Sequence, residues 1–548
     1  MEVLNHLAGN IVDVLNRRIY SAQMQIENGI IVSITPTNQT YPYYILPGFI
    51  DAHVHIESSM LTPTEFARLA VVHGTVATVS DPHEIANVLG IHGVAYMLKN
   101  AAKTPFKCYF GAPSCVPATT FETAGAILSP ADIAYLFEQY PQIKYLSEVM
   151  NFPGVLMNDP EMMQKIAIAK QYGKPIDGHA PGLRGADVKR YIQAGITTDH
   201  ECFTLPEALD KLQHGMKIII REGSAAKNFE ELHPLISTHT NMVMLCSDDK
   251  HPNDLVHGHI DQLINRALQK GHQLMNVLQC ACVNPALHYG LEVGLLQTGQ
   301  PADFVIVENL QHIKPTETYI NGIRVAQNGK TKLPYQPEKT PNNFHTPPKQ
   351  PQDFAIKASG SHIKVIEALE GQLITHALQY DVKTDEQGFA LPDVTNDLLK
   401  LTVVNRYHNN PPAVAFIKNF GLKRGAIASS VAHDSHNIIA CGVSDQDICH
   451  AVNLLIEQKG GLAVADSQNN IAQVLPLPIA GIMSPQNGYE VAQLYNHLNE
   501  QVKQLGTQLY APYMTLSFMA LLVIPYLKLS DKGLFDGEKF TFTPLFSN

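Results

Sequence analysis

Two histidines separated by one residue form the strongest local signal in the chain. His53 and His55 lie in the segment PGFIDAHVH, residues 47–55. Side chains at positions i and i+2 of a β-strand point to the same side. The two imidazoles therefore face one point, where they can share a metal ion. An isolated pair of this kind also fits two ordinary strand histidines, so the interpretation depends on further ligands downstream.

Four more ionisable residues end later apolar runs of the chain. Glu148 lies in LSEVMNFPG, His179 in DGHAPGL, His200 in TTDHE and Asp248 in CSDD. Four imidazoles and two carboxylates are enough for a two-metal site in which one carboxylate bridges the ions. Nitrogen and oxygen ligands without thiolate suit manganese, iron or zinc. Any one of these residues alone would more often be structural, and it is their ordered placement that predicts a metal centre.

The elements that must position these residues alternate between strand and helix. Eight apolar runs between about residue 45 and residue 290 each end in polar residues, and amphipathic helical segments such as PTEFARLAVVHG lie between them. Eight such units predict an α/β fold with a closed (β/α)8 barrel of the TIM type. The carboxyl ends of barrel strands form the catalytic face. The predicted ligands therefore meet at the mouth of the barrel.

The regions outside the barrel predict two further units. Residues 1–46 and 290–335 both read as short strands with turns, which predicts a small β-sandwich-like domain built from both flanks of a barrel at 47–289. Residues 336–353 are rich in proline and polar residues and are typical of a linker. Residues 354–548 read as a separate C-terminal α/β domain, with a helix that Ser444 can cap.

Composition excludes several classes of protein. The chain has 548 residues, 45% of them hydrophobic and 16% charged, which indicates a globular protein of more than one domain. A net charge of −11 argues against nucleic acid or an acidic membrane as a partner. Eight cysteines without a CxxC pair predict free thiols in a reducing compartment, and no signal peptide is apparent, so we expect the cytoplasm.

Longer strings around these residues carry a family resemblance. The segment PGFIDAHVH with its ordered His, His and Asp resembles the amidohydrolase superfamily. The strings IESSMLTP, SDPHEIANV, HAPGL, REGSAAKN and CSDDKHP, together with GLKRGAIASSVAHDSHNIIACGVSD near the C-terminus, look specifically like the bacterial adenine deaminases. The resemblance covers nearly the whole chain. It implies hydrolysis of adenine to hypoxanthine and ammonia by a metal-activated hydroxide, and a homo-oligomer, expected to be a dimer.

The resemblance also implies how the ligands are shared between two divalent ions, for which Mn²⁺ is expected and Fe²⁺ or Zn²⁺ are alternatives. His53 and His55 would bind the first ion with Asp248, and His179 and His200 would bind the second. Glu148 would bridge them, where other superfamily members use a carboxylated lysine. Lys144 lies on the same side of that strand but four positions deeper, which favours Glu148.

Catalytic and substrate-binding residues follow as hypotheses. Asp248 is expected to transfer protons, with assistance from His200 or Glu148. Polar residues after the second and seventh runs are candidates for purine recognition, each of which also fits a salt bridge or helix cap: Asp81, His83, Glu84, Arg221, Glu222 and Ser224.

The cluster His433-Asp434-Ser435-His436 in the C-terminal region has no assigned role. It fits a polar loop after a strand, and also an additional metal site or a lid contact over the barrel mouth. Two alternative functions stay open: a hydrolase of cyclic amides, similar to dihydroorotase or imidazolonase, and a non-catalytic scaffold with the barrel fold.

Overall fold

A computed structural model describes residues 2–548 of the chain. The first strands form an antiparallel meander, and the fourth pairs parallel with the first. The turn between the second and third strands is Asn28-Gly29, whose φ values of 52° and 79° suit a tight hairpin. These strands are β1 (His6–Asp13), β2 (Arg18–Glu27), β3 (Ile30–Pro36) and β4 (Tyr44–Pro47).

Eight parallel strands follow, in two hydrogen-bonded arcs of five and three. They are β5 (Phe49–Val54), β6 (Thr75–Ser80), β7 (Lys107–Ala112), β8 (Ile143–Val149), β9 (Ile176–Gly178), β10 (Thr198–Asp199), β11 (Lys217–Arg221) and β12 (Val243–Cys246). The arcs join at both edges: the Thr197 amide donates to the Ile176 carbonyl at 2.9 Å, and the Asp248 amide donates to the His53 carbonyl at 3.0 Å. The strands therefore close into the predicted barrel.

Helices connect the barrel strands, and several of them bury one face. In the twelfth helix the buried positions are Ile260, Leu263, Ile264 and Ala267, the spacing of one apolar helical stripe. The helices are α1 (Pro63–Ala70), α2 (His83–Leu89), α3 (Ile91–Ala101), α4 (Pro130–Gln139), α5 (Phe152–Leu156), α6 (Pro160–Gln171), α7 (Gly185–Gln193), α8 (Leu205–Gln213), α9 (Phe229–Leu232), α10 (Leu235–Thr238), α11 (Pro252–His257), α12 (Ile260–Gln269), α13 (Leu274–Leu278) and α14 (Asn284–His288).

The chain then returns to the first sheet. Strand β13 pairs antiparallel with β4, so both flanks of the barrel form one eight-stranded sheet. The returning strands are β13 (Phe304–Val307), β14 (Glu317–Ile320), β15 (Ile323–Gln327) and β16 (Lys330–Thr331).

The apolar run at 43–55 is divided between the flanking sheet and the barrel. Strand β4 belongs to the sheet, β5 belongs to the barrel, and Gly48 lies between them. A Cβ atom at Gly48 would lie 2.4 Å from Val76 Cγ1, so the backbones approach more closely here than a side chain permits. Periodicity could not reveal this division, because both halves of the run are apolar.

Residues 332–350 form no strand or helix, but they are not detached from the rest of the molecule. Phe344 is buried, the His345 amide donates to the Arg406 carbonyl at 2.8 Å, and Asn342 Nδ2 donates to the Pro478 carbonyl at 3.0 Å. The proline-rich segment therefore runs along the C-terminal domain as a fixed connection.

The C-terminal region contains a nine-stranded mixed sheet and a small three-stranded sheet. The Ser444 hydroxyl accepts a hydrogen bond from the Asp447 amide at 3.1 Å, which confirms the predicted helix cap. The elements are β17 (His362–Ala368), β18 (Thr375–Asp381), β19 (Leu399–Val404), β20 (Ala413–Lys418), β21 (Ala426–Ser429), β22 (Ile438–Gly442), α15 (Asp445–Gln458), β23 (Gly461–Asp466), β24 (Ile471–Pro476), α16 (Gly488–Gln504), α17 (Pro512–Ser517), β25 (Leu527–Ser530), β26 (Gly533–Asp536), β27 (Thr541–Phe542) and β28 (Phe546–Ser547).

The C-terminal domain packs firmly against the barrel. The Ser484 amide donates to the Met60 carbonyl at 2.8 Å, and the Gly488 amide donates to Glu65 Oε2 at 2.9 Å. One apolar core runs from the barrel strands into this domain. The domain therefore has a sheet of its own but a core that it shares with the barrel. Among residues 2–548, no helix has the length and apolar character needed to cross a bilayer.

Candidate active site

The two histidines of the HxH motif lie at the carboxyl end of β5, beside Asp248 after β12. The two Nε2 atoms of His53 and His55 are 3.2 Å apart. Asp248 Oδ1 lies 3.2 Å from His55 Nε2 and 3.6 Å from His53 Nε2. Asp248 has a φ of 53°, which is uncommon for a residue other than glycine and occurs most often at functional sites. These three side chains form one half of the site.

His179 and His200, which follow β9 and β10, form the other half with Glu148 at the end of β8. Glu148 Oε2 lies 2.8 Å from His179 Nδ1 and 3.0 Å from His200 Nε2. Its second oxygen, Oε1, lies 3.3 Å from His55 Nε2. The carboxylate of Glu148 thus faces one histidine group with each oxygen, which is the position of a bridging ligand.

The donor set fits divalent metal ions. The ligand atoms of His53, His55 and Asp248 lie within 4.8 Å of one another, and so do those of His53, Glu148 and His200. All six predicted ligands are buried. Buried imidazole and carboxylate groups that converge without thiolate are the ligands that manganese, iron and zinc accept. The residues present therefore fit two ions.

Electrostatics keep both carboxylates ionised. Burial favours the protonated form of Glu148, but the adjacent His179 and His200 outweigh it and hold its pKa well below the usual range. Burial also favours the protonated form of Asp248, but the adjacent Arg221 outweighs it and holds the pKa of that carboxyl well below its usual range. An ionised carboxylate can bind a cation or accept a proton.

Arg221, at the end of β11, forms ion pairs with three carboxylates. Its Nη1 lies 2.5 Å from Asp248 Oδ2 and also pairs with Glu201, while Nη2 lies 3.5 Å from Asp249 Oδ2. Ser58 donates to the other oxygen of Asp249 at 2.5 Å. Arg221 lines the cavity, but its ion pairs give it the role of orienting Asp248. Glu201 lines the cavity as well, and sequence reasoning missed it because it directly follows the stronger signal at His200.

Residues after β6 form the next part of the cavity wall. His83 Nδ1 lies 3.2 Å from Asp81 Oδ2 and 3.5 Å from Glu148 Oε1, and its Nε2 lies 3.6 Å from Asp434 Oδ1. Both Nδ1 and Nε2 of His83 lack a hydrogen-bond partner among residues 2–548. A buried imidazole with two free nitrogens beside a cavity is suited to hold a ligand.

Glu84 connects the barrel to the C-terminal domain. His433 Nδ1 lies 2.5 Å from Glu84 Oε1, and His436 Nε2 contacts Glu84 Oε2. His433 also stacks on Phe518, with ring centroids 5.0 Å apart. The unassigned cluster at 433–436 therefore forms a contact between the two domains at the barrel mouth. Each carboxylate oxygen of Glu84 contacts one histidine of this cluster.

Three predicted substrate residues do not line the cavity: Asp81, which lies behind His83, and Glu222 and Ser224. Glu222 pairs with Arg266 at 2.6 Å, and the Ser224 hydroxyl donates to Asp254 Oδ2 at 2.5 Å. Both residues lie past the end of β11, where the chain turns and strand alternation no longer fixes direction. Lys144, the alternative to Glu148, lies at the other end of β8 and is 3.6 Å from Glu292 Oε1.

The C-terminal domain covers this site. The free space in the cavity is small, about 30 Å³. Barrel residues supply most of its charged groups, and His433 and Asp434 of the C-terminal domain supply two more. Apolar residues of the C-terminal domain line it as well, and the sequence did not single them out: Leu373, Phe518, Leu521 and Val523.

A closed (β/α)8 barrel with buried metal-ligand groups at its mouth defines a metal-dependent hydrolase, and a family model agrees. Residues 44–332 match the amidohydrolase family, and residues 372–541 match the adenine deaminase C-terminal domain. The proteins named adenine deaminase from Sulfurovum sp. (strain NBC37-1) and Salinibacter ruber are 57% and 51% identical to the chain, each over 98% of both lengths. That from Methanosarcina mazei is 50% identical over 98% of this chain and 99% of its own. The chain belongs to the adenine deaminase family.

Proposed function

We propose that this protein hydrolyses adenine to hypoxanthine and ammonia. The observation that carries the proposal is the coincidence of two features: relatives named adenine deaminase are about half identical over nearly the whole chain, and six buried ligand groups converge under the C-terminal domain. The mixed polar and apolar lining of the cavity suits a neutral heterocycle such as a purine base.

The proposed metal ligands divide between two ions. His53, His55 and Asp248 would hold one ion and His179 and His200 would hold the other, while Glu148 lies against both groups of histidines. When bound, two divalent ions lower the pKa of water enough to supply hydroxide near neutral pH. We propose Mn²⁺ as the native ion, with Fe²⁺ and Zn²⁺ as alternatives that the same donor set accepts.

The protein groups around the cavity supply proton transfer. The oxygen of water bonds to carbon 6 of the ring. One proton of this water goes to the adjacent ring nitrogen, and the other goes to the amino group, which leaves as ammonia when its bond to carbon 6 breaks and the carbonyl forms. Asp248 accepts the proton from the attacking water, because the Arg221 ion pair keeps its carboxylate ionised. His200 and Glu148 assist by orienting the reacting centre.

Recognition of the ring falls to the residues after β6. Asp81 orients His83, which lines the cavity, and Glu84 holds the C-terminal domain in contact with it. Arg221 acts on the site by orienting Asp248, with which it forms an ion pair. Because Glu222 and Ser224 bond to residues outside the cavity, the proposed substrate-binding set is reduced to Asp81, His83, Glu84 and Arg221.

We also propose a cytoplasmic homodimer without nucleic acid or membrane partners. All eight cysteines are free thiols, seven of them buried, which suits a reducing compartment. The proposed dimer rests on the family resemblance and is tested by light scattering of the purified protein.

Ammonia release tests the function. The purified protein should release ammonia from adenine and leave dihydroorotate unchanged, which separates a deaminase from a hydrolase of cyclic amides. Hydrolysis of dihydroorotate with no ammonia from adenine would overturn the proposal.

A further inference from the structure

Most of the apolar residues that line the cavity belong to the C-terminal domain, which also contributes His433 and Asp434. Among the barrel residues that line it, Met150 is the apolar one, and the others are charged or histidine. Leu373, Phe518, Leu521 and Val523 of the C-terminal domain supply the remaining apolar surface, which we call the apolar wall. A flat aromatic base needs an apolar surface against its face, in addition to polar groups at its edge.

The apolar wall comes from two separate segments of chain. Leu373 lies just before β18, and the other three residues lie between α17 and β25. One side chain ties these segments together: Lys528 Nζ donates to the Leu373 carbonyl at 2.6 Å and to the Phe518 carbonyl at 2.9 Å. Lys528 therefore bonds to the backbone of two residues whose side chains line the cavity.

The surroundings of Lys528 suit a neutral amine. The side chain is fully buried and forms no salt bridge within residues 2–548, and this burial lowers its pKa to about 7. A neutral amine has two N–H donors, and two carbonyls accept from Lys528. Buried lysines are rare unless they are paired, and the two carbonyls are the partners of this one.

We propose that Lys528 is a positioning residue for substrate binding, which holds Leu373 and Phe518 so that the apolar wall packs against the purine ring. The inference rests on the proposed deaminase function, and it goes further by giving the C-terminal domain a role in recognising the base.

The proposal predicts a particular kinetic signature. The wall contacts the ring equally in the ground state and in the transition state, so its displacement should weaken binding without slowing chemistry. Lys528→Met removes both donors at similar volume. We expect the KM for adenine to rise about tenfold with kcat changed less than about twofold, which corresponds to the loss of one or two hydrogen bonds.

Lys400→Met is the matched control. Lys400 is also a buried lysine of the C-terminal domain, and its Nζ donates to the Phe354 carbonyl at 3.1 Å and to Asp445 at 2.5 Å. None of these residues lines the cavity. A purely structural effect would reduce the active fraction and hence the apparent kcat, so Lys400→Met should leave KM unchanged even if it lowers the melting temperature.

The experiment uses the full-length, metal-loaded protein. Ammonia release gives kcat and KM for the wild type and both variants, calorimetry gives the dissociation constant for adenine, and metal analysis confirms equal loading. If Lys528→Met does not fold, Lys528→Leu, which also removes both donors, is measured in the same way. An unchanged KM and dissociation constant in the folded Lys528 variant overturn the proposal. Wild-type protein that releases no ammonia overturns the proposed function instead, and the adenine dissociation constants still decide the role of Lys528.

Discussion

Glu148 Oε1 lies 3.3 Å from His55 Nε2, although the two residues are 93 positions apart in the chain and lie at the ends of different barrel strands. The other oxygen of Glu148 faces His179 and His200. A single carboxylate thus joins the two histidine groups of the site. The proposed two-metal centre depends on this arrangement more than on any other single contact.

Replacing Glu148 tests the bridge. Glu148→Gln removes the charge that both histidine groups face, so we expect the metal content to fall below two ions per chain and kcat/KM to fall roughly 100-fold or more. Metal analysis and the ammonia assay measure the two effects. Lys144→Met on the same strand is the control and should retain metal and activity, since Lys144 lies beside Glu292 at the opposite end of β8. Loss of metal in the lysine variant would instead favour the carboxylated-lysine arrangement.

Asp248 tests proton transfer separately from metal binding. Asp248→Asn keeps the shape of the side chain and one oxygen ligand but cannot accept a proton. We expect kcat to fall about 10²- to 10⁴-fold, the usual contribution of general acid–base catalysis. Near-normal turnover with metals retained would refute the proposed role.

Substitution of Glu84 and of Glu222 should have different effects. The sequence made both residues candidates for substrate binding, but only Glu84 lines the cavity. Glu84→Gln weakens the contacts to His433 and His436 across the barrel mouth, so we expect kcat/KM to fall about tenfold or more, as for loss of charged hydrogen bonds. Glu222→Gln should change kcat/KM less than about twofold, because Glu222 pairs with Arg266 outside the cavity. Equal effects of the two substitutions would contradict the placement.

Stability should depend on pH through Lys528. Its pKa is about 7 in the folded protein and about 10.4 in an unfolded chain, so the unfolded state binds more protons between these values. The contribution of this group to the free energy of unfolding therefore rises as pH increases through that window. Melting temperatures of the wild type and Lys528→Met should diverge in favour of the wild type between about pH 7 and pH 9.5. A constant difference would show that Lys528 keeps its charge in the fold.

Much of the barrel could be predicted from the sequence, because strand alternation and the polar ends of strands are visible in short segments of chain. Strand alternation places His53 and His55 on one side, and parallel strands bring their polar ends to one mouth, so the six candidate ligands could be named before the structure. The same reasoning failed for Glu222 and Ser224, because the chain has already left the strand there.

The cover of the site could not be predicted in this way. Phe518 and Leu521 lie in an apolar stretch that reads as ordinary core, and apolar pattern does not tell which side chains face a cavity. Lys528 gives no signal in the sequence, since its burial depends on segments more than 150 positions away, such as that of Leu373. Contacts of this kind depend on how the two domains pack.

The central claim is that the site binds two ions and that both are needed to deaminate adenine. The most direct test removes metal with a chelator, returns Mn²⁺ in measured equivalents and follows ammonia release from adenine. The account predicts that activity is lost on chelation and returns to a plateau at two equivalents per chain. Activity that survives complete chelation, or a plateau at one equivalent, would contradict it.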